Sequence, residues 1–452
     1  MSINPADSAV FGTLYGTDAM RAVFGDRAFV LRMVAVEAAL ARVQGRLGVI
    51  PVEAAAAIDN AAASLEPDLA KLAASTAKVG VPVVGVVAQL RAACGPASGY
   101  VHWGATTQDI MDTALVLQMR DALALLEADL AGCIAALAGL ADRHRASVMP
   151  GRTHLQHALP ITFGLKAASW LQPLLGHAER LAQLRPRVLR VQFGGAVGTL
   201  ASLGTTGVSV MEALAAELDL AAPPAPWHTA RDGVAELACF LGLLAGSLGK
   251  IATDVVLQAQ SEVGELAEPH EAGRGGSSTM PQKRNPISSE YIISACRGVQ
   301  ALVPLMLGAM LQDHERATGP WQSEMLALPQ ACTLAHGALE RTRLLLEGLQ
   351  VDTAKMRTNI GITHGAIMAE AAMMGLAPLI GHDEAHHLVQ HACDDALREG
   401  LGLAEVLSRD TRVDPAVVSR LTDPAGYLGV TDALIDRVLA ARSSMVMEGR
   451  LG

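Results

Sequence analysis

Aromatic side chains are scarce in this sequence: 6 Phe, 4 Tyr and 4 Trp among 452 residues. Sheets draw much of their packing from aromatic and β-branched residues, so the shortage speaks against a β-rich fold. Basic charge is also short, with 35 Lys+Arg against 45 Asp+Glu and a formal net charge of -10. Such a chain lacks the electrostatic pull toward phosphate backbones or anionic lipid, which excludes nucleic acid and membrane as expected partners. Paired cysteines are missing as well. Cys94, Cys133, Cys239, Cys296, Cys332 and Cys393 lie far apart with no CxxC spacing. They read as reduced core thiols of a cytoplasmic protein, not as a disulfide framework or zinc ribbon. The longest uncharged apolar run, residues 237–249, is flanked by Glu236 and Lys250. A membrane span needs about 20 apolar residues, so a buried helix is the expectation. Residues 1–27 carry charges throughout and show no apolar segment of a secretory signal.

What the chain does have is Ala, Leu, Val and Met, which carry most of its 51% hydrophobic content. These are core and helix-forming residues, and they exclude disorder. Three apolar stripes repeat at alternating spacings of three and four: Leu126, Leu130, Cys133, Leu137, Leu140; Val234, Leu237, Leu241, Leu244, Leu248, Ile251, Val255; and Ile292, Ala295, Val299, Leu302, Met306, Ala309. Each predicts one long helix in a bundle. A fourth helix is expected from Pro160 to about Arg185, because proline suits a first helical position. A further helix is expected over residues 20–47, with turns near Pro51, Pro67 and Pro82. Beyond Val351, short helices are expected between Gly361, Gly381, Gly400 and Gly426. The expectation is an all-α subunit of three domains: a helical N-terminal domain over 1–105, a central bundle over 106–350 and a helical C-terminal domain over 351–452. Stripes this long suit a homo-oligomer.

Three polar segments interrupt the apolar background, each where a long helix should begin. The first runs from His102 to Asp109 (HWGATTQD), where Thr106 and Asp109 fit a capping box. The second, GRTHLQHALP over 151–160, crowds two histidines into a loop, where an imidazole can shuttle protons near neutral pH. The third, AGRGGSSTMPQKRNP over 272–286, places paired serines and bases on a glycine-rich loop, with Asn285 expected to cap the next helix and Pro286 to be its first residue. It is neither a dinucleotide fingerprint nor a phosphate loop. His382, Asp383, Glu384, His386, His387 and His391 form a cluster in which His387 and His391 have metal-ligand spacing. Without a glutamate partner or third ligand it reads as a solvated helix face, and no metal is expected.

GSSTMPQKRNP closely resembles the signature loop of the class II fumarase/aspartase superfamily, and the other two segments resemble its remaining conserved regions in order. That resemblance covers essentially the whole chain. It implies a homotetramer with a central multi-helix bundle, active sites shared between subunits, and proton transfer beside a carboxylate without metal or organic cofactor. Within the superfamily, YVHWGATTQDIMDT, LRPRVLRVQFGGAVGTLASLG, PWHTARD and LQDHERATGPWQSE resemble the branch that closes a lactone ring. Lyases that release fumarate by breaking a C–N or C–O bond resemble it too. One purine-pathway branch of them carries histidines where this chain reads KVGVPVVGVVAQL. His154, however, is a feature of the eliminating lyases, so both chemistries stay open. Superfamily members can also be inert structural proteins, but the motif serine and histidine are present here.

By the resemblance, Ser277 takes the place of the catalytic serine. Lys283 would stabilise its anion or supply the proton, and His154 would orient substrate or relay protons. A small polycarboxylate substrate would be held by His102, Thr106, Thr107, Arg152, Thr153, Gln156, Ser278, Met280, Asn285 and Arg316. Cations at Arg152, Arg274, Lys283, Arg284 and Arg316 would give an acidic chain a locally positive site.

Overall fold

The computed structural model describes residues 4–269, 275–276, 280, 282–316 and 318–447. It is an all-α protein whose described strands are confined to two antiparallel two-stranded ribbons. Residues 18–24 and α1 (Asp26–Arg46) divide the expected first helix at Gly25, whose extended backbone stops the earlier segment. Short helices at 52–64, 69–79 and 83–93 follow the turns at Pro51, Pro67 and Pro82. The long elements are α2 (Thr107–Arg143), α3 (Phe163–Val188), α4 (Asp232–Gln258), α5 (Ile287–Gly308) and α6 (Pro320–Glu347).

All three stripes belong to these long helices, except that Ala309 follows directly after α5. Every stripe residue of α2 and α4 is buried, and so are those of α5 apart from half-buried Leu302. By length and composition alone, α2, α4 and α5 are apolar enough to cross a membrane, although no unbroken run is. Interspersed alanines and glycines raise their average hydropathy, while the stripes themselves face the protein core.

The expected start of α3 at Pro160 is wrong by three residues. Pro160 instead belongs to β2 (Gln156–Thr162), paired antiparallel with β1 (Val148–Thr153). Proline tolerates this position because it faces Pro150 in the register, where neither residue can donate. The helix starts after Thr162, whose Oγ1 accepts the Leu165 N–H (3.1 Å) as an N-cap. At α5 the cap also differs from expectation: Pro286, not Asn285, accepts the first helical bond, from the Glu290 N–H. Glu268 supplies the cap, its carboxylate accepting the N–H groups of Ser288 (2.9 Å) and Ser289 (2.8 Å).

The chain divides into two compact units, each drawn from three segments: 1–129, 177–248 and 291–340 in the first; 130–176, 249–290 and 341–452 in the second. The first holds cores built around Met33, Ile58, Leu90 and Ile110, and around Leu40, Val191, Phe193 and Leu214. The second holds a core of short helices around Leu376, Val389 and Leu403, broken at Gly381 and Gly400, both with positive φ.

Candidate active site

In the first unit, the N-terminus of α2 gathers four distant segments. The Asp109 carboxylate, fully buried, accepts N–H groups from Thr106, Gly194 and Gly195, each at 2.9 Å, and lies 2.7 Å from His228 Nε2. Half of the expected capping box is therefore present: Asp109 reaches back to the Thr106 N–H. Thr106 Oγ1 is spent otherwise, accepting from Arg316 (3.0 Å), whose second nitrogen donates to the Ala196 carbonyl (2.8 Å). His102 sits at φ +66 with Nδ1 2.5 Å from the buried Glu37 carboxylate. Thr107 opens the helix, half-buried.

One turn further along α2, Asp112 accepts two bonds from Arg231 and one from the Trp321 indole, while Arg231 also donates to Glu324 (2.8 Å). All three charged groups are almost fully enclosed. Burial opposes the Arg231 charge, yet the two carboxylates more than offset it and raise its pKa. Burial raises the pKa of Glu324, with Arg231 working against the shift. Asp109, His228, Asp112, Arg231 and Glu324 were not singled out as a network by sequence; the partners are too far apart in the chain to leave a local signal.

In the second unit, β1 and β2 form a hairpin whose two-residue tip is His154–Leu155. Both have positive φ (+48 and +63), as a type I′ turn requires. Gly151 sits in a bulge between Pro150 and Arg152, where a Cβ would stand 2.8 Å from the Leu159 carbonyl oxygen. Arg152 donates both terminal nitrogens to Glu265 (2.8 and 2.6 Å), a fully buried carboxylate that also accepts from Asn359 (2.8 Å). Arg152 is thus committed to holding the hairpin. Thr153, His154, Leu155 and Gln156 are all exposed. Behind them, burial lowers the His157 pKa, with Arg152 adding to the shift and Glu265 opposing it. On α3, burial lowers the Lys166 pKa, with Asp254 opposing.

The signature loop borders a cavity of about 780 Å³, whose lining includes Gln260, Glu268, Gly275, Met280, Lys283 and Asn285. Ser277 and Ser278 lie outside the described residues. Gly275 has φ +70, and a Cβ there would come within 2.9 Å of the Asn285 carbonyl oxygen, so only glycine fits. Asn285 N–H donates to the Gly275 carbonyl (3.0 Å), closing the loop's base, while Lys283 is exposed. Met280, Lys283 and Asn285 share this cavity; His154, Thr153 and Gln156 share the hairpin tip; His102, Thr106 and Arg316 share the start of α2.

Among the described residues, no three His, Cys, Asp or Glu side chains are placed to hold a metal. His382, His386, His387 and His391 lie along the exposed side of the helix over 382–399, whose buried side carries Ala385, Val389, Ala392 and Ala396. None of the six cysteines is in a disulfide, and burial pushes the Cys332 thiol up to about 12, far from nucleophilic.

A lyase family profile matches residues 14–301, and a profile for the adenylosuccinate lyase C-terminus matches 365–438. The chain belongs to the fumarase/aspartase lyase superfamily. Among its superfamily relatives, the Pseudomonas aeruginosa 3-carboxy-cis,cis-muconate cycloisomerase is 47% identical, over 99% of each chain. Trans-aconitate decarboxylase 1 of Mycosarcoma maydis is 43% identical, over 97% of this chain and 90% of that one. The crystal structure of the 3-carboxy-cis,cis-muconate lactonizing enzyme from Pseudomonas putida superimposes with a TM-score of 0.93 at 42% identity, covering 97% and 100%. The lyase family profile and the end-to-end match to cycloisomerases make the chain an enzyme of this superfamily.

Proposed function

We propose that this protein is a 3-carboxy-cis,cis-muconate cycloisomerase of aromatic-acid breakdown. End-to-end identity of 47% with the Pseudomonas aeruginosa enzyme carries the reading. In the reaction, an oxygen of one substrate carboxylate bonds to an alkene carbon and the π electrons move toward a neighbouring carboxylate. A proton then joins the carbon next to that group, giving a lactone with no atom lost. The developing oxyanion needs donors, each worth about 3–4 kcal/mol by analogy with oxyanion holes. Lys283 and Asn285 at the cavity, with Thr106, Thr107 and Arg316 at the start of α2, are residue types suited to that task. Ser277 or Lys283 supplies the proton, and Ser278, Thr153 and Gln156 bind carboxylates. Arg152 acts through the hairpin it anchors to Glu265.

A homotetramer with shared sites accounts for the apolar residues left exposed on the long helices, among them Leu243, Leu305, Leu307 and Leu326. Subunit contact, rather than lipid, covers them. A cytoplasmic location suits six cysteines that form no disulfide. The second reading, a lyase releasing fumarate, is favoured by one observation: His154, of the residue type that could protonate a departing amine or hydroxyl, stands exposed at the hairpin tip.

An ultraviolet assay separates the readings. Purified protein is offered 3-carboxy-cis,cis-muconate, adenylosuccinate, argininosuccinate, aspartate, fumarate and trans-aconitate. Rapid loss of the diene absorbance, with a lactone identified by NMR, is expected, and turnover should persist in EDTA. Fumarate release from a succinate-type substrate, with the muconate untouched, would replace the first reading by the second.

A further inference from the structure

The tip of the β1–β2 hairpin is built against the preferences of its own residues. His154 and Leu155 both occupy the left-handed region, where a side chain crowds its own backbone and glycine or asparagine is the usual occupant. His154 has chemistry to justify its place. Leu155 has no folding reason for its side chain, which is 75% exposed and takes no part in the clusters around Leu376 and around Ile360. Nor does the hairpin depend on it for position. Anchoring comes from the two Arg152 bonds to Glu265 and from Asn359, which holds the same carboxylate. Strain concentrated at an exposed tip, beside a candidate catalytic group, points to a use outside folding.

We infer that Leu155 is a specificity-determining residue whose isobutyl group lies against the uncharged carbon chain of the substrate. Thr153, His154 and Gln156 beside it are polar and suit carboxylates, which leaves Leu155 as the one apolar side chain at the tip. Packed over the conjugated carbons, it keeps water from the carbon that receives the proton and favours substrates with an extended apolar span between their charges. This rests on the proposed reading of the site.

Leu155→Gly removes the side chain and relaxes the turn at once, so stability and activity should move in opposite directions. The expected result is an unfolding midpoint equal to or above wild type and an unchanged assembly size by light scattering. Together with these, kcat/KM for 3-carboxy-cis,cis-muconate should fall at least about tenfold. Leu155→Met, similar in volume, should stay within about threefold of wild type. Full activity in Leu155→Gly overturns the inference. So does a variant that loses activity in step with its assembly or its melting point, because Leu155 would then be a packing residue between copies. Should wild type ignore the muconate but turn over another member of the panel, the proposed function alone falls. The same comparison on that compound then decides the role of Leu155, and a protein inert toward the whole panel overturns both.

Discussion

The start of α2 and the tip of the β1–β2 hairpin hold candidate site residues by opposite means. Around α2, Asp109, Asp112, His228, Arg231 and Glu324 are 4% exposed or less, and every one has a charged or backbone partner. At the hairpin tip, Thr153, His154, Leu155 and Gln156 are exposed, and two of the four are in a strained conformation. Buried charges without complete pairing are very costly, so the first region is fixed scaffolding that presents a few half-buried groups such as Thr106 and Thr107. An exposed, strained tip contributes little to folding and is free to serve a ligand.

The sharpest way to break this comparison is Arg231→Ala. It leaves two carboxylates buried without their cation and should cost about 3–5 kcal/mol, seen as a lower unfolding midpoint or insoluble protein. A variant that melts like wild type would show that the network is not scaffolding. A smaller effect is expected with pH. Burial, with Arg180 adding to it, lowers the His177 pKa to about 4, and its Nε2 lies 2.8 Å from Ser247 Oγ. The unfolded chain takes up that proton near 6.5, so this contribution is intact above about 6.5 and is lost as pH falls toward 4. The total is on the order of 3 kcal/mol. His177→Gln should flatten that part of the acid unfolding curve; an unaltered curve would rule the residue out.

At the hairpin tip the expected effect is smaller still. A lactonising reaction uses an ionised carboxylate as its nucleophile and needs no base to activate it. His154→Asn should then raise KM about tenfold while leaving kcat within a few-fold. Unchanged affinity with a thousandfold loss of turnover would mark His154 as a general acid and favour the eliminating lyase.

The scaffold's helices were legible in the sequence because burial imposes a period of three and four on α2, α4 and α5. The hairpin was not. Thr153-His154-Leu155-Gln156 contains no glycine or asparagine, so nothing announces a tight turn, and Pro160 resembles the start of a helix. Capping of α5 departs from the sequence expectation for a different reason: Glu268 reaches its N-terminus from 20 residues away, displacing the adjacent Asn285. The signature loop marked the superfamily through residue order alone. The Asp109–His228 pair is formed across 119 residues and needed the fold to become visible.

The central claim, that exposed loop groups do the chemistry while buried networks hold the shape, is tested most directly by Lys283→Ala, with Ser277→Ala beside it. Turnover of 3-carboxy-cis,cis-muconate and thermal unfolding are measured on the same preparations. Lys283 is exposed at the cavity. The account predicts turnover lowered at least about a hundredfold in both variants, with unfolding midpoints matching wild type. Turnover near wild type in both, with the fold intact, would contradict it.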